Sequence, residues 1–146
     1  MHIKTKKSLG QNFLIDRDVL ETIVNTVNIA NNEILEIGPG SGNLTTYILK
    51  KNPKKIFVVE KDNDLSLLLE EKFNEEITVI NDDILQISED KISTEQLTVF
   101  GNLPYNISTE ILSKWIVNLD KKFWFKHLVL MFQKEVADRI IAKSNT

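Results

Sequence analysis

Apolar runs alternate with stretches of helical period from residue 16 onward. Val19, Leu20, Ile23, Val24 and Val27 fall on one face of a helix, and Asp16 stands where a side chain caps its first free amides. Ile34 to Ile37 reads as a short strand that ends at a cluster of glycines, and a helix follows from about Asn43 to Lys51 until Asn52-Pro53 stops it. Lys55 to Glu60 is a buried strand, and Asp62 to Phe73 is a helix with Leu65, Leu68 and Leu69 on one side. Ile77 to Ile80 and Leu97 to Phe100 are the third and fourth strands, the latter running into Gly101 and a loop at Asn102. A helix from about Ser108 to Asn118, a fifth strand from His127 to Phe132 and a last helix from Lys134 to Lys143 complete the pattern. Strands separated by helical segments predict an α/β fold: a parallel sheet with helices on both faces.

Composition narrows this picture without changing it. A chain of 146 residues, 42% hydrophobic and 27% charged, supports one domain around a single core. Neither an internal repeat nor a Gly/Ser-rich linker divides it. The absence of cysteine removes disulfides and thiolate metal sites, and His2 and His127 are far apart in sequence, so no metal is expected. No apolar run approaches the roughly 20 residues that span a bilayer, and no apolar segment follows Lys4, Lys6 and Lys7, so a cytoplasmic protein without membrane contact is expected. The net charge of -3 hides an asymmetry: the middle of the chain is acidic and both ends are basic, a distribution compatible with phosphate partners or with solvated lysines alone.

The sharpest local feature is Glu36-Ile37-Gly38-Pro39-Gly40-Ser41-Gly42-Asn43, after a strand and before a helix. Glycines there permit positive φ and let backbone approach a ligand closely, although a tight turn with no ligand has the same composition. A dinucleotide-binding fingerprint would want a third glycine where Asn43 or Thr45 stands, which weakens a dehydrogenase reading. Glu60, 18 residues beyond Gly42, ends the second strand, where a carboxylate can accept from both hydroxyls of a ribose. Asp83, in Asn81-Asp82-Asp83 after the third strand, can accept from an adenine amino group. In Asn102-Leu103-Pro104-Tyr105, Pro104 stiffens the loop so that the Asn102 side-chain oxygen and the Leu103 carbonyl can converge on one amino group, with Tyr105 as a flat face for a base. Two such acceptors favour the pyramidal, nucleophilic form of an exocyclic amine.

The motifs Gly10-Gln11-Asn12-Phe13-Leu14, Glu36 to Gly42, Asn81-Asp82-Asp83, Gly101 to Ser108 and Gln133-Lys134-Glu135-Val136 occur in one order. In that order the chain resembles the ribosomal RNA adenine N6,N6-dimethyltransferases of the small-subunit type. The resemblance implies a Rossmann-like methyltransferase fold, S-adenosyl-L-methionine as cofactor and small-subunit (16S) ribosomal RNA as partner. It implies a cofactor site of Gln11, Asn12, Leu14, Gly38, Gly40, Glu60, Asp83 and Asn102, and a target-base site of Asn102, Leu103, Pro104 and Tyr105. A base inside a duplex cannot reach such a pocket, so the target is expected to be unpaired or flipped out.

Members of that family usually continue past the equivalent of Thr146 with further sheet strands and a small helical domain. Residues 1–146 are therefore expected to be an incomplete cofactor-binding domain, truncated before the last strands, that binds cofactor but methylates poorly. Two other readings remain: a resistance methyltransferase of a large-subunit adenosine, which shares the Asn-x-Pro-Tyr logic, and a non-catalytic nucleic-acid binder that kept the fold.

Overall fold

The structure, a computed structural model, describes residues 16–103, 107–117, 123–132 and 134–142, and of Ser108 and residues 134–137 the backbone only. The first helix, α1 (Arg17–Val24), starts at Asp16, whose carboxylate accepts from the amides of Asp18 and Val19 at 2.9 and 3.1 Å. Its buried stripe is narrower than the sequence predicts. Leu20 and Val24 are buried, but Val19 is 44% exposed and Val27 lies beyond the helix, because the chain tightens at Thr26, whose amide donates to Ile23, and Ile29 fills the core instead.

The sheet has five strands: β1 (Glu33–Ile37), β2 (Lys55–Val59), β3 (Thr78–Ile80), β4 (Leu97–Asn102) and β5 (Phe125–Met131), with α2 (Asn43–Leu49), α3 (Asn63–Phe73), α4 (Ser108–Val117) and α5 (Lys134–Ile141) between and after them. The strand order is β3-β2-β1-β4-β5, and every pairing is parallel. From β1 the chain steps towards one edge through β2 and β3, then crosses back to β4 and steps the other way to β5. Right-handed crossovers in opposite directions put their connections on opposite faces, and the core divides accordingly. On one face Leu20, Val24, Leu44, Ile48, Leu69 and Phe73 of α1 to α3 pack on Ile34, Ile56, Val58 and Phe100. On the other, Ile111 and Trp115 of α4, with Ile84, pack on Leu35, Ile37, Phe57, Val59 and Val99. β1 and β2 are buried on both sides, as strands sandwiched between helices must be, which is why they read as unbroken apolar runs. Among the described residues no helix is long and apolar enough to cross a membrane.

Candidate functional site

In an open parallel sheet ligands bind beyond the carboxyl ends of the strands where the winding reverses. Here that reversal lies between β1 and β4, so the crevice is bounded by the chain leaving Ile37 on one side and the chain leaving Gly101 on the other. The sequence places a glycine loop and Asn102 at those two positions. Gly38, Gly40 and Gly42 all have positive φ, at 66°, 59° and 87°. At Gly38 space is limiting as well: a Cβ would stand 3.0 Å from the backbone carbonyl oxygen of Asn102. The Gly38 amide donates to Val59 O at 3.1 Å, which fixes the start of the loop to the end of β2.

Glu60 comes directly after β2 and is 6% exposed. Its Oε1 accepts from the Asp62 amide at 3.0 Å and its Oε2 from the Gly40 amide at 3.4 Å, so one carboxylate holds both its own turn and the glycine loop. Burial raises its pKa, and the amides of Asp62 and Gly40 oppose the shift. Next along the edge, the Asn81 side-chain amide donates to Glu60 O at 3.0 Å and clamps the end of β3 to the end of β2. Asp83 is half-buried: Oδ1 accepts from the Leu85 amide at 3.0 Å and Oδ2 pairs with Lys61 at 3.1 Å. Burial would raise its pKa, but the Leu85 amide and the charges of Lys61 and Lys114 outweigh that and hold it below the ordinary carboxylate value.

Gly38, Gly40, Glu60 and Asn102 are thus brought together through direct contacts, and Asp83 stands on the same sheet edge. Leu103 is 4% exposed and its side chain belongs to the core beneath α4, so only its backbone is left to face a ligand. Gln11, Asn12, Leu14, Pro104 and Tyr105 lie outside the described residues.

Two polar groups to which the sequence reading assigns no role stand close to these residues. Glu36, 1% exposed, is a carboxylate inside the buried strand β1; Thr45 of α2 donates to its Oε2 at 2.5 Å. Burial, with the charge of Glu60 adding to it against the Thr45 hydrogen bond, raises its pKa from 4.5 to about 7. The signal was a charged residue within an apolar run with a hydroxyl nine residues on. The other is Lys114 of α4, which reaches the segment after Asp83.

Residues 2–146 match the model of the ribosomal RNA adenine dimethylase family. The chain is 72% identical over 145 residues to the ribosomal RNA small subunit methyltransferase A of Pelagibacter ubique, covering 99% of this chain and 55% of that protein. It is 45% identical over 142 residues to the protein of the same name from Mesomycoplasma hyopneumoniae, covering 97% of this chain and 52% of the relative. The chain therefore spans about half the length of these relatives. Among solved structures, a dimethyladenosine transferase from Plasmodium falciparum is similar with a TM-score of 0.76 and 28% identity over 90% of this chain and 47% of the other. The 23S rRNA methyltransferase ErmE is similar with a TM-score of 0.72 and 28% identity over 87% of this chain and 50% of the other. The fold is that of the Rossmann-like methyltransferases, and the chain belongs to the ribosomal RNA adenine dimethylase family.

Proposed function

We propose that the chain is the cofactor-binding, catalytic part of an enzyme that moves methyl groups from S-adenosyl-L-methionine to N6 of adenosines in small-subunit ribosomal RNA, giving N6,N6-dimethyladenosine during ribosome biogenesis in the cytoplasm. The observation that carries the reading is the meeting of Gly38 and Asn102 across the reversal point of the sheet, with Glu60 and Asp83 at the next two strand ends. The names of the 72% and 45% identical relatives favour the small subunit as substrate.

The residues present fit such a cofactor. Gly38 has no side chain to fill the gap towards Asn102, and the two buried Glu60 oxygens retain lone pairs beyond those used on backbone amides, one of them in a long 3.4 Å bond that a ribose hydroxyl can replace. Asp83, held ionised, offers an acceptor to an adenine amino group. Gln11, Asn12 and Leu14 would close over the methionine end. When bound, S-adenosyl-L-methionine supplies an electrophilic methyl on a sulfonium. The chain's part is then to position the nucleophile. Asn102 Oδ1 and the Leu103 carbonyl accept the two amino hydrogens of the target adenine, which draws the nitrogen lone pair out of conjugation and aims it into the crevice. Pro104 stiffens that loop and Tyr105 stacks on the base, so the adenosine must leave any helix it occupies. Proton loss after transfer needs no strong base.

Tritium transfer from labelled cofactor to purified 30S and 50S subunits tests the reading. Label is expected in 30S adenosines only, and Asn102→Ala is expected to abolish transfer. Label confined to 50S would make the protein a large-subunit enzyme, and unchanged turnover in the variant would remove Asn102 from the site.

A further inference from the structure

Between β3 and β4 the chain crosses the sheet without an α-helix: residues 81–96 contain only a single 3-10 turn at Glu89–Lys91. Such a crossing has few backbone hydrogen bonds of its own, yet Asp83 sits at its start. Towards α4 it is held by two side chains of that helix, Lys114 and Trp115. Lys114 Nζ, on α4, donates to Ile84 O at 2.7 Å, Ile87 O at 2.6 Å and Glu89 Oε1 at 2.8 Å, which engages all three of its protons. The same Glu89 oxygen accepts from Trp115 Nε1 at 2.8 Å. Glu89 is 6% exposed and Trp115 2%, and Trp115 packs edge-on against Trp124 with ring centroids 5.5 Å apart. An ammonium that converges on two carbonyls and a buried carboxylate makes charge-assisted, directional bonds. Its positive charge also acts on Asp83 itself, alongside Lys61.

We infer that Lys114 is a positioning residue for the adenine end of the cofactor: it fastens the segment that carries Asp83 to α4, the helix that leads out of the target-base loop. The stretch from Asn81 to Glu89 is then pinned at both ends, by Asn81 to β2 and by Lys114 to α4. The carboxylate depth at one side of the crevice is set by the helix on the other. This rests on Asp83 receiving the adenine amino group, and the test separates the two claims. Arginine is not a substitute, because a planar fork cannot direct three donors at acceptors gathered around a point.

The readout is discrimination in binding, measured by calorimetry on the protein with S-adenosylhomocysteine and with S-inosylhomocysteine, which replaces the 6-amino group by a carbonyl. The unaltered protein is expected to prefer the adenosine compound by about tenfold or more, since a carboxylate facing a carbonyl is left unpaired. In Lys114→Met the preference is expected to fall below about threefold, because Asp83 is no longer held at the required depth. A loss of fold stability alone would shift both affinities together and keep their ratio, and an intact ratio in Lys114→Met overturns the inference. Asp83→Ala is the reference: if it erases the preference while Lys114→Met does not, Asp83 reads adenine without Lys114. If Asp83→Ala retains the preference, the adenine assignment fails and the inference with it. Should Lys114→Met not fold, Lys114→Arg, which keeps the charge but cannot direct three donors at these acceptors, decides the matter: a narrowed preference supports the role and an unchanged one refutes it.

Discussion

A carboxylate in the middle of a buried strand is costly unless it stays protonated, and Glu36 is such a residue. Its folded pKa of about 7 exceeds the 4.5 of the exposed group, so between those values the folded chain binds a proton that the unfolded chain has released. Stability from this group is therefore complete below about pH 4.5 and is lost as pH rises through about 7, in total on the order of 3 kcal/mol. Urea unfolding between pH 5 and 8 is expected to show this fall, and Glu36→Gln, which carries no titrating group, is expected to flatten it; an equally steep fall in the variant would place its origin elsewhere. Thr98 poses the opposite case: it is buried in β4 and its hydroxyl has no hydrogen-bond partner among the described residues. Thr98→Val, nearly equal in shape, is expected to raise the unfolding free energy by about 1 kcal/mol, measurable as a higher urea midpoint. Glu36 stood out in the sequence only as a charge within an apolar run, and Thr98 not at all, because burial on both faces depends on which strands become neighbours. Glu60 and Asn102 were legible, since their place at the ends of apolar runs already puts them on the carboxyl edge of a parallel sheet.

At the scale of elements, the five strands and the helices between them arise from the alternation of apolar runs and helical periods, with ends displaced by one or two residues. One of the two-residue shifts is at β5, which begins at Phe125 rather than His127, because Phe125 pairs with Leu97 across an irregularity in the ladder that no local signal announces. The glycines differ in what they do, and this too is a matter of packing. Gly42 begins α2, and a Cβ there would stand 2.5 Å from Phe73 Cε2 and 3.1 Å from Leu69 Cδ2. It therefore sets how closely α2 approaches the end of α3. Gly42→Ala combines a positive-φ alanine with overpacking and is expected to cost about 3 kcal/mol. Thermal melting of the variant against Gly38→Ala separates the roles: Gly42→Ala is expected to lower the melting temperature, whereas Gly38→Ala is expected to act more on ligand affinity than on the fold. A normal melting temperature for Gly42→Ala would mean that Phe73 swings aside freely.

For the whole molecule, the order β3-β2-β1-β4-β5 turns four separated motifs into one site. The sequence predicts a parallel sheet but leaves the strand order open, so the crevice between Gly38 and Asn102 is a property of the assembled sheet. A ligand seated there touches loops after β1, β2, β3 and β4 at once and has no counterpart site in the unfolded chain. It must therefore stabilise the fold by mass action: at a free concentration of 100 times Kd the gain is about 2.7 kcal/mol. For a domain of this size each kcal/mol raises the melting temperature by roughly 3 °C, so S-adenosylhomocysteine at that excess is expected to shift it upward by about 8 °C. Gly38→Ala, whose Cβ would crowd the Asn102 carbonyl at 3.0 Å, is expected to lose most of that shift. A nicotinamide dinucleotide at the same concentration is expected to produce none, because the third glycine of its fingerprint is Asn43 or Thr45 here. Equal shifts from both compounds would mean that the crevice selects for a nucleoside alone, and an unshifted melt with S-adenosylhomocysteine would remove the cofactor from the reversal point of the sheet.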